Sequence, residues 1–303
     1  MKKFVALMLA LVMVLALCAC GGNSDPKPTE EAKDYSSMTL DQLKAELKTV
    51  NEGKLTIATS PDFAPYEFYH VDENGNATLV GFDIAFAQYI ADKLGLELEM
   101  VPMDFDGTLA ELGAKKCDLG MAGYSPDPDR ASLMNFSKIY YEGGQCFITS
   151  KANADKIKSL DDANNSQYKI GAQTGSIQSK LAKQNTPDAD NIDLSKVPDV
   201  IAEVISGKLD GAFMETIVAK SYQAQYPEIV IVCDVPYEQK GSAIGVNKDN
   251  EVLLAALNLI IDEAINDGSL QKYVDEAGIL AIGNKYEGLL DDAGKVPAAD
   301  TAA

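Results

Sequence analysis

The alternation of strand and helix patterns is the feature that most constrains the fold of this chain. An apolar strand pattern at 54–60 is followed by a helical pattern at 81–95 that ends in glycine. A strand at 96–103, a helix at 107–116 and a strand at 117–123 follow in the same order. Because strands that are joined by helices pair in parallel, this order predicts an α/β fold.

A second α/β series of similar size occupies the next part of the chain. Two such units indicate two lobes with a cleft between them. Periodicity alone does not assign the elements after residue 241 to either lobe. The predicted strands of this second part are 168–175, 209–215, 228–237 and 242–248, and its helices are 176–184, 197–208, 216–225, 251–268 and 269–278.

The two ends of the chain have compositions that differ from a folded domain. Residues 1–19 combine a basic start, an apolar run and small residues, which is the pattern of a secretory signal. The ending Leu-Cys-Ala-Cys resembles a bacterial lipobox, so we expect Cys20 to be lipidated. The lipid would anchor the protein to the cell membrane, on the extracytoplasmic side. Plain secretion is the alternative. Residues 20–38 are predicted to be a flexible tether, and 286–303 a C-terminal tail.

The composition excludes several classes of function. The net charge of −20 argues against nucleic-acid binding, which needs a basic face. His70 is the only histidine, so a histidine-based triad and a His-rich metal cluster are excluded, and no Walker-type phosphate loop occurs. We therefore expect neither a cofactor nor a metal. The scattered Cys117, Cys146 and Cys233 are predicted to be buried free thiols.

The only arginine of the chain, Arg130, lies in the stretch "AGYSPDPDR" at 122–130. The missing side chain of Gly123 lets a ligand approach the backbone, and Ser125 offers a hydroxyl and an N–H. The two prolines then favour the first turn of a helix, whose free N–H groups bind anions. The planar guanidinium matches a carboxylate with two parallel hydrogen bonds, which lysine does not do. The stretch therefore predicts a carboxylate site, and a surface arginine on a solvated helix is the alternative.

A ligand that is an amino acid also needs an anion that faces its ammonium group. Glu215 ends an apolar strand, at the edge of the sheet where α/β proteins bind ligands. Asp210, at the start of the same strand, competes for this role. The pattern is equally compatible with Glu215 acting only as a helix cap.

Several motifs together resemble one known family over about residues 52 to 285. They are "TSPDFAPYEF" (59–68), "LVGFDIAFAQYIADKLG" (79–95), "MDFDGTLAEL" (103–112), "KCDLGMAGYSPDPDRASLMNFSKIYY" (116–141) and "IGAQTGSIQ" (170–178). In this order they are similar to the bacterial extracytoplasmic solute-binding proteins of family 3, the polar amino-acid type. The likeness is to glutamine- and basic-amino-acid-binding proteins. It implies the type II periplasmic-binding-protein fold, with two α/β lobes joined by two hinge strands.

The resemblance implies which residues of the first lobe would contact an amino acid. Phe63 and Phe105 would stack on the ligand side chain. The backbone of Gly123 would hold the α-carboxylate, together with Ser125 and Arg130.

It also implies contacts from the second lobe. Ser176 would complete the carboxylate site, Ile177 would contribute backbone, and Gln173 would face the ligand side chain. Glu215 stands where the family usually has an aspartate against the α-ammonium.

Two departures from the family pattern leave the ligand open, namely Glu215 in place of aspartate and Ser60. Several members carry an aspartate at the position of Ser60, which reads the ligand side chain. Asp62 and Glu67 would restore a negative wall, or they would be rim or turn residues.

The family topology implies that lobe 1 is discontinuous, with residues 52–147 and 239–285, and that lobe 2 is 148–238. Crossover strands near 146–151 and 235–241 would form the hinge. We expect closure around the ligand to present a surface to a membrane permease.

The sequence therefore predicts a binding protein, not an enzyme. It would capture a polar L-amino acid, neutral or cationic, and deliver it to the permease of an ABC importer. Two alternatives are an enzyme on the same scaffold, similar to cyclohexadienyl dehydratases, and a ligand-sensing receptor component.

Overall fold

The computed structural model describes residues 34–72, 74–238 and 241–283. The predicted signal sequence, Cys20, most of the tether and the predicted C-terminal tail lie outside the described residues. Residues 34–37 belong to a unit separate from the domain that begins at Met38. Within the described ranges, none of the helices is both long enough and apolar enough to cross a membrane.

The first half of the domain alternates strands and helices, as the sequence predicts. A 3-10 turn at Pro128–Arg130 precedes the last strand of this half. The elements are α1 (Leu40–Glu46), β1 (Lys54–Thr59), β2 (Asp62–Phe63), β3 (Glu67–Val71), β4 (Ala77–Val80), α2 (Phe82–Leu94), β5 (Glu97–Pro102), α3 (Phe105–Gly113), β6 (Leu119–Gly120) and β7 (Met134–Tyr141).

The second half repeats the alternation and ends in two helices. Its elements are β8 (Gln145–Ser150), α4 (Leu160–Ala163), β9 (Lys169–Gln173), α5 (Ile177–Asn185), β10 (Asp190–Leu194), α6 (Val197–Ser206), β11 (Gly211–Glu215), α7 (Thr216–Gln225), β12 (Ile229–Val235), β13 (Ser242–Asn247), α8 (Glu251–Asn266) and α9 (Ser269–Gly283).

Lobe 1 is built on a five-stranded sheet with the order β5-β1-β6-β13-β7. The strand β1 is parallel to β5 and to β6, whereas β13 is antiparallel to both of its neighbours. A three-stranded antiparallel sheet, β2-β3-β4, carries the predicted first binding loop. The amide of Asn258 in α8 accepts from the N–H of Lys138 in β7 at 2.8 Å. The chain therefore returns to lobe 1 after β12, which periodicity left open.

Lobe 2 is built on a second five-stranded sheet with the order β10-β9-β11-β8-β12. The strand β9 is parallel to β10 and β11, and β8 is antiparallel to β11 and β12. The rings of Phe147 and Phe213 meet edge to face at 5.2 Å in its core, and α5 buries Leu181 in the same cluster. Each lobe thus has its own apolar core.

The chain crosses between the sheets at two places. It leaves lobe 1 between Tyr141 and Gln145 and returns between Val235 and Ser242. The expectation of a hinge strand at 146–151 is wrong. This segment is β8, which is paired on both sides inside lobe 2. The predicted division at 147/148 likewise falls inside β8, and the crossing itself is the glycine-containing segment 142–144.

The last helix, α9, contacts both lobes. The ring of Tyr273 lies 6.3 Å from that of Tyr89 in α2 of lobe 1. The side-chain amide of Gln225, at the end of α7 in lobe 2, donates to the carbonyl of Ala281 at 3.0 Å. The helix therefore spans the two lobes on one side of the molecule.

Cys117, Cys146 and Cys233 are free thiols. Cys117 and Cys146 are buried and Cys233 is half-buried, so the prediction of buried thiols is confirmed for the first two. Burial raises the pKa of the Cys117 and Cys146 thiols to about 12, which leaves both protonated and unreactive at neutral pH.

Candidate functional site

The candidate site begins where the chain leaves β6. Gly123 has φ +58°, and a Cβ at this position would lie 2.7 Å from Cε1 of Phe63. Glycine is therefore required at this position because the Phe63 ring lies too close for a larger side chain. The N–H of Gly123 donates to Oδ2 of Asp83 at 3.3 Å. Asp83 lies in the first turn of α2, so this hydrogen bond connects the loop after β6 to the helix of the motif at 79–95.

Arg130 lies in the 3-10 turn that the two prolines predicted, and it is only 8% exposed. Its Nη1 donates to the carbonyl of Ser125 at 3.4 Å, and its Nη2 donates to the carbonyl of Gly175 in lobe 2 at 2.9 Å. The guanidinium carbon lies 5.7 Å from the ring centre of Phe105. The alternative of a solvated surface arginine is therefore wrong.

The turn that Arg130 reaches leads into helix α5. Ser176 caps this helix, because its Oγ accepts from the N–H of Ser179 at 3.2 Å and donates to the carbonyl of Gln173 at 2.7 Å. Ile177, the first residue of α5, is buried in the core of lobe 2. The structure thus brings Ser125 and Arg130 of lobe 1 together with the Ser176 turn of lobe 2, so the buried guanidinium of Arg130 lies beside a helix N-terminus.

Asp62 is buried, and its carboxylate faces lobe 2. It accepts from Ser60 Oγ at 3.0 Å, from Gln173 Nε2 at 3.1 Å and from the N–H of Val197 at 3.0 Å. Burial raises its pKa to about 6, although these hydrogen bonds act in the opposite direction. Ser60 and Gln173 are therefore close together, and a carboxylate lies between them.

Glu67 and Asp83 extend this acidic region into the interior of lobe 1. Both side chains are fully buried. Burial, and then the charges of Asp83 and Asp62, raise the pKa of Glu67 well above its usual range. Burial also raises the pKa of Asp83 to about 6, against the hydrogen bond that Tyr140 donates to it at 2.6 Å. Glu67 is therefore an interior residue, and the rim role does not apply to it.

Glu215 ends β11 and caps α7. Its Oε2 accepts from the N–H groups of Ile217 at 2.6 Å and Val218 at 3.1 Å. Its Oε1 is buried and has no hydrogen-bond partner among the described residues. Burial raises the pKa of this carboxyl to about 7. Asp210, the competing residue, accepts from the N–H of Lys169 at 2.9 Å at the opposite end of the strand.

A cavity of about 750 Å³ opens beside Glu215, between the two chain crossings. It does not include Arg130, Phe63 or Phe105 among its lining residues. The residues that line it are Tyr141, Glu142, Gly143, Gly144, Gln145, Glu215, Thr216, Ile217, Lys220, Asp234, Val235, Pro236 and Tyr237.

Tyr66 connects Glu215 with the aromatic side of the site, and sequence reasoning missed it. A Cβ on Gly143 would clash with Oε1 of Glu215 and would lie 3.5 Å from the Tyr66 hydroxyl. The ring of Tyr66 lies 5.3 Å from that of Phe63, and its hydroxyl bonds to that of Ser242 at 2.8 Å. Its position in the binding loop "PDFAPYEF", three residues after Phe63, is the sequence feature that could have identified it.

A second contact between the lobes was also missed by sequence reasoning. The ammonium of Lys180 in α5 lies 3.1 Å from Oδ1 of Asp127 and 2.5 Å from Oδ2 of Asp129. Asp127 caps the Arg130 turn of lobe 1, and Asp129 lies within this turn. We call Lys180, Asp127 and Asp129 the ion clasp. The hydroxyl of Tyr237 donates to the carbonyl of Pro126 at 2.8 Å beside it.

Two α/β lobes joined by two crossings, with buried charged side chains where the lobes meet, define a two-lobed binding protein. Residues 55–277 match the family model described as bacterial extracellular solute-binding proteins, family 3. The chain belongs to this family, so the predicted family and the predicted fold class are confirmed.

Individual relatives cover most of the chain. The arginine-binding extracellular protein ArtP of Bacillus subtilis (strain 168) is 30% identical over 90% of this chain and 96% of its own length. The structure of the amino acid ABC transporter substrate-binding protein AbpA from Streptococcus pneumoniae Canada MDR_19A, bound to L-arginine, has a TM-score of 0.73 at 32% identity, over 81% of this chain and all of that one. A more distant relative is the cyclohexadienyl dehydratase of Pseudomonas aeruginosa, 25% identical over 65% of this chain and 72% of its length.

Proposed function

We propose that this protein captures a polar L-amino acid, neutral or cationic, between its lobes and delivers it to the membrane permease of an ABC importer. The observation that carries the proposal is the pair of buried charges on opposite lobes. Arg130 is a buried cation with unused N–H groups, and Glu215 has a buried oxygen without a partner among the described residues. An α-carboxylate and an α-ammonium are the two groups that such a pair binds.

The proposed roles follow the chemistry of each group. Two of the five N–H donors of Arg130 are used by main-chain carbonyls, which leaves donors for a carboxylate. Ser125 and the N-terminus of α5, which Ser176 caps, would add further donors there. Glu215 Oε1 would accept from the ligand ammonium. Phe63 and Phe105 would enclose the ligand side chain.

L-arginine is the first ligand to test. ArtP is named an arginine-binding protein, and AbpA was solved with L-arginine bound. Delivery to a permease and the lipid anchor on Cys20 belong to the same proposal.

The test compares ligands that differ by one charged group. Calorimetric titration of the full chain should give tight binding for one L-amino acid of a screen that includes L-arginine. For L-arginine, agmatine lacks the α-carboxylate and N-acetyl-L-arginine lacks the free ammonium. We expect both analogues to bind at least about 100-fold more weakly, because each leaves a buried charge unpaired. Equal binding of agmatine would refute the carboxylate role of Arg130.

A catalytic function is the second candidate, and one observation favours it. The pKa of Glu215 is raised to about 7, which suits a general acid at neutral pH. A distant relative is named a cyclohexadienyl dehydratase, although the more similar relatives are binding proteins. Incubation with prephenate or arogenate should give no aromatic product. Turnover that is abolished by Glu215→Gln would establish the enzyme instead.

A further inference from the structure

Asp62 connects lobe 1 to the start of a helix in lobe 2. We propose that Asp62 stabilises the closed arrangement of the lobes by capping α6 from across the cleft. It thereby changes the affinity for every ligand by the same factor, instead of selecting among ligand side chains. The affinity part of this inference rests on the proposed function, whereas the capping part stands on the protein alone.

The first argument is the geometry of the contact. Asp62 lies on β2 of lobe 1, and Oδ2 accepts from the N–H of Val197, the first residue of α6, at 3.0 Å. The same oxygen accepts from Gln173 Nε2 at 3.1 Å, at the end of β9. One carboxylate therefore holds two donors of lobe 2, and both Asp62 and Gln173 are buried.

The second argument is that α6 has no side-chain cap of its own. Its N-cap residue is Lys196, which makes no side-chain cap hydrogen bond, and Pro198 at the second position has no N–H. The N–H groups at the start of a helix need acceptors, and a negative charge there is favourable. Asp62 supplies both from the other lobe. Opening the cleft would separate this N–H from its acceptor.

The third argument is that the carboxylate is already used by protein donors. Its second oxygen, Oδ1, accepts from Ser60 Oγ at 3.0 Å and faces Gln173 Nε2 at 3.4 Å. A carboxylate accepts about four hydrogen bonds, so little capacity is left for a ligand side chain. The sequence suggested a negative wall that faces the ligand, and these contacts favour a role between the lobes instead.

The consequence for binding follows from the closing equilibrium. If a ligand binds the closed arrangement, its apparent affinity is the intrinsic affinity multiplied by the fraction of molecules that are in the closed arrangement. A contact between the lobes that does not touch the ligand changes only that fraction. Loss of the Asp62 contact should therefore weaken all ligands equally and leave their ranking unchanged.

The first experiment uses the ligand-free full chain and does not depend on any amino acid. Hydrogen exchange of the peptide 195–201 is followed by mass spectrometry in the wild type, Asp62→Ala and Asp92→Asn. We expect exchange at the start of α6 to rise about tenfold or more in Asp62→Ala. Asp92 is the matched control, because it is an exposed carboxylate of lobe 1 that accepts from the side-chain amide of Gln88 in its own helix. Unchanged exchange in Asp62→Ala overturns the inference.

The second experiment measures the Kd values of L-arginine, L-lysine, L-histidine and L-glutamine for the same variants. Asp62→Ala should raise every measurable Kd by one common factor of about tenfold or more. If the ratio of the arginine and glutamine Kd values changes by more than about threefold, Asp62 reads the ligand side chain and the inference is wrong.

The two experiments separate the possible failures. If no amino acid binds the wild type but exchange rises in Asp62→Ala, the capping role stands and the proposed function fails. If Asp62→Ala does not fold, Gln173→Ala tests the same contact from lobe 2, with the same common factor expected. Selective loss of one ligand in Gln173→Ala, without faster exchange at 195–201, would contradict the inference.

Discussion

The guanidinium of Arg130 donates to the main-chain carbonyl of Gly175 across the interface between the lobes, over 2.9 Å. Gly175 has φ +73° and lies directly before the cap of α5. The only arginine of the chain therefore places its charge beside the N-terminus of a helix that belongs to the other lobe. Two positive groups converge there, one from each lobe, and an anion between them would hold the lobes together.

Because the ion clasp joins the lobes, we expect part of the ligand affinity to depend on salt concentration. Lys180→Gln removes the charge that faces Asp127 and Asp129. Because Lys180 is partly exposed, we expect only about a two- to fivefold weaker affinity at low salt and no difference near 1 M NaCl. The measurement is calorimetric Kd against salt concentration for wild type and variant.

Lys183→Gln is the control for this prediction. Lys183 lies on the same helix, but it pairs with Asp193 of lobe 2 at 2.8 Å, so it should not affect closure. A salt-independent loss in Lys180→Gln, or an equal loss in Lys183→Gln, would show that the clasp does not act between the lobes.

The raised pKa of Glu215 predicts that binding depends on pH. With a pKa of about 7 before binding, the carboxyl is ionised above pH 7 and protonated below it. Only the ionised form attracts an ammonium group, so affinity should fall by up to about tenfold per pH unit below 7. Titrations from pH 5.5 to 8.5 measure this slope.

Glu215→Gln removes the titrating group at nearly constant shape. It should bind more weakly than the wild type, by roughly 10- to 100-fold, and show a shallower slope between pH 5.5 and 7, where Asp62 still titrates. A wild-type affinity that is flat over this range would mean that Glu215 does not face the ligand ammonium.

The buried carboxyls of lobe 1 predict that the protein is most stable at mildly acidic pH. The pKa of Asp83 is about 6 in the folded protein and near 3.8 when exposed, so the folded state binds more protons between these values. The free energy of unfolding must then fall as pH rises from about 4 to about 6. We expect the Tm at pH 5 to exceed that at pH 7.5 by several degrees, about 4 °C or more.

Asp83→Asn tests the source of this pH dependence. It keeps a side chain that accepts from Tyr140 but removes the charge, so the difference in Tm between pH 5 and 7.5 should shrink. If the Tm instead rises from pH 5 to pH 7.5 in the wild type, the account of these carboxyls is wrong.

Adding one methyl group at Gly123 should lower the free energy of unfolding. Gly123→Ala combines φ +58° with a Cβ 2.7 Å from the ring of Phe63, whereas Gly207→Ala combines φ +75° with open space. Both substitutions carry the cost of a left-handed residue, about 1 kcal/mol, and only Gly123→Ala adds the steric cost. We expect chemical denaturation to show a loss for Gly123→Ala at least about 1 kcal/mol larger. Equal losses would mean that Phe63 moves freely away.

The parts of the fold that follow from local pattern could be predicted from the sequence. The alternation of strands and helices gave two α/β units, and the two prolines marked the turn that carries Arg130. The crossing between the lobes was placed too late, since the apolar stretch of β8 has the pattern of any buried strand. Whether such a strand pairs inside one lobe or joins two depends on partners elsewhere in the chain.

The roles of single side chains were harder to predict. The sequence allowed Glu215 as a ligand residue or a helix cap, and the structure gives one oxygen to the cap and leaves the other without a partner among the described residues. The partners of Asp62 and Lys180 are 135 and 53 positions away, at Val197 and Asp127. The spacing of residues along the chain does not predict such pairs, because they form only when the two lobes meet.

The most direct test of the central claim is the Kd of the best-bound L-amino acid for wild type, Arg130→Lys and Lys116→Ala, measured by calorimetry at pH 8. Lys116 is an exposed lysine of lobe 1, which controls for the loss of one positive charge. We predict that Arg130→Lys, which keeps the charge but loses the planar fork, binds at least about 30-fold more weakly, and that Lys116→Ala binds like the wild type. An Arg130→Lys variant with unchanged affinity would contradict the account.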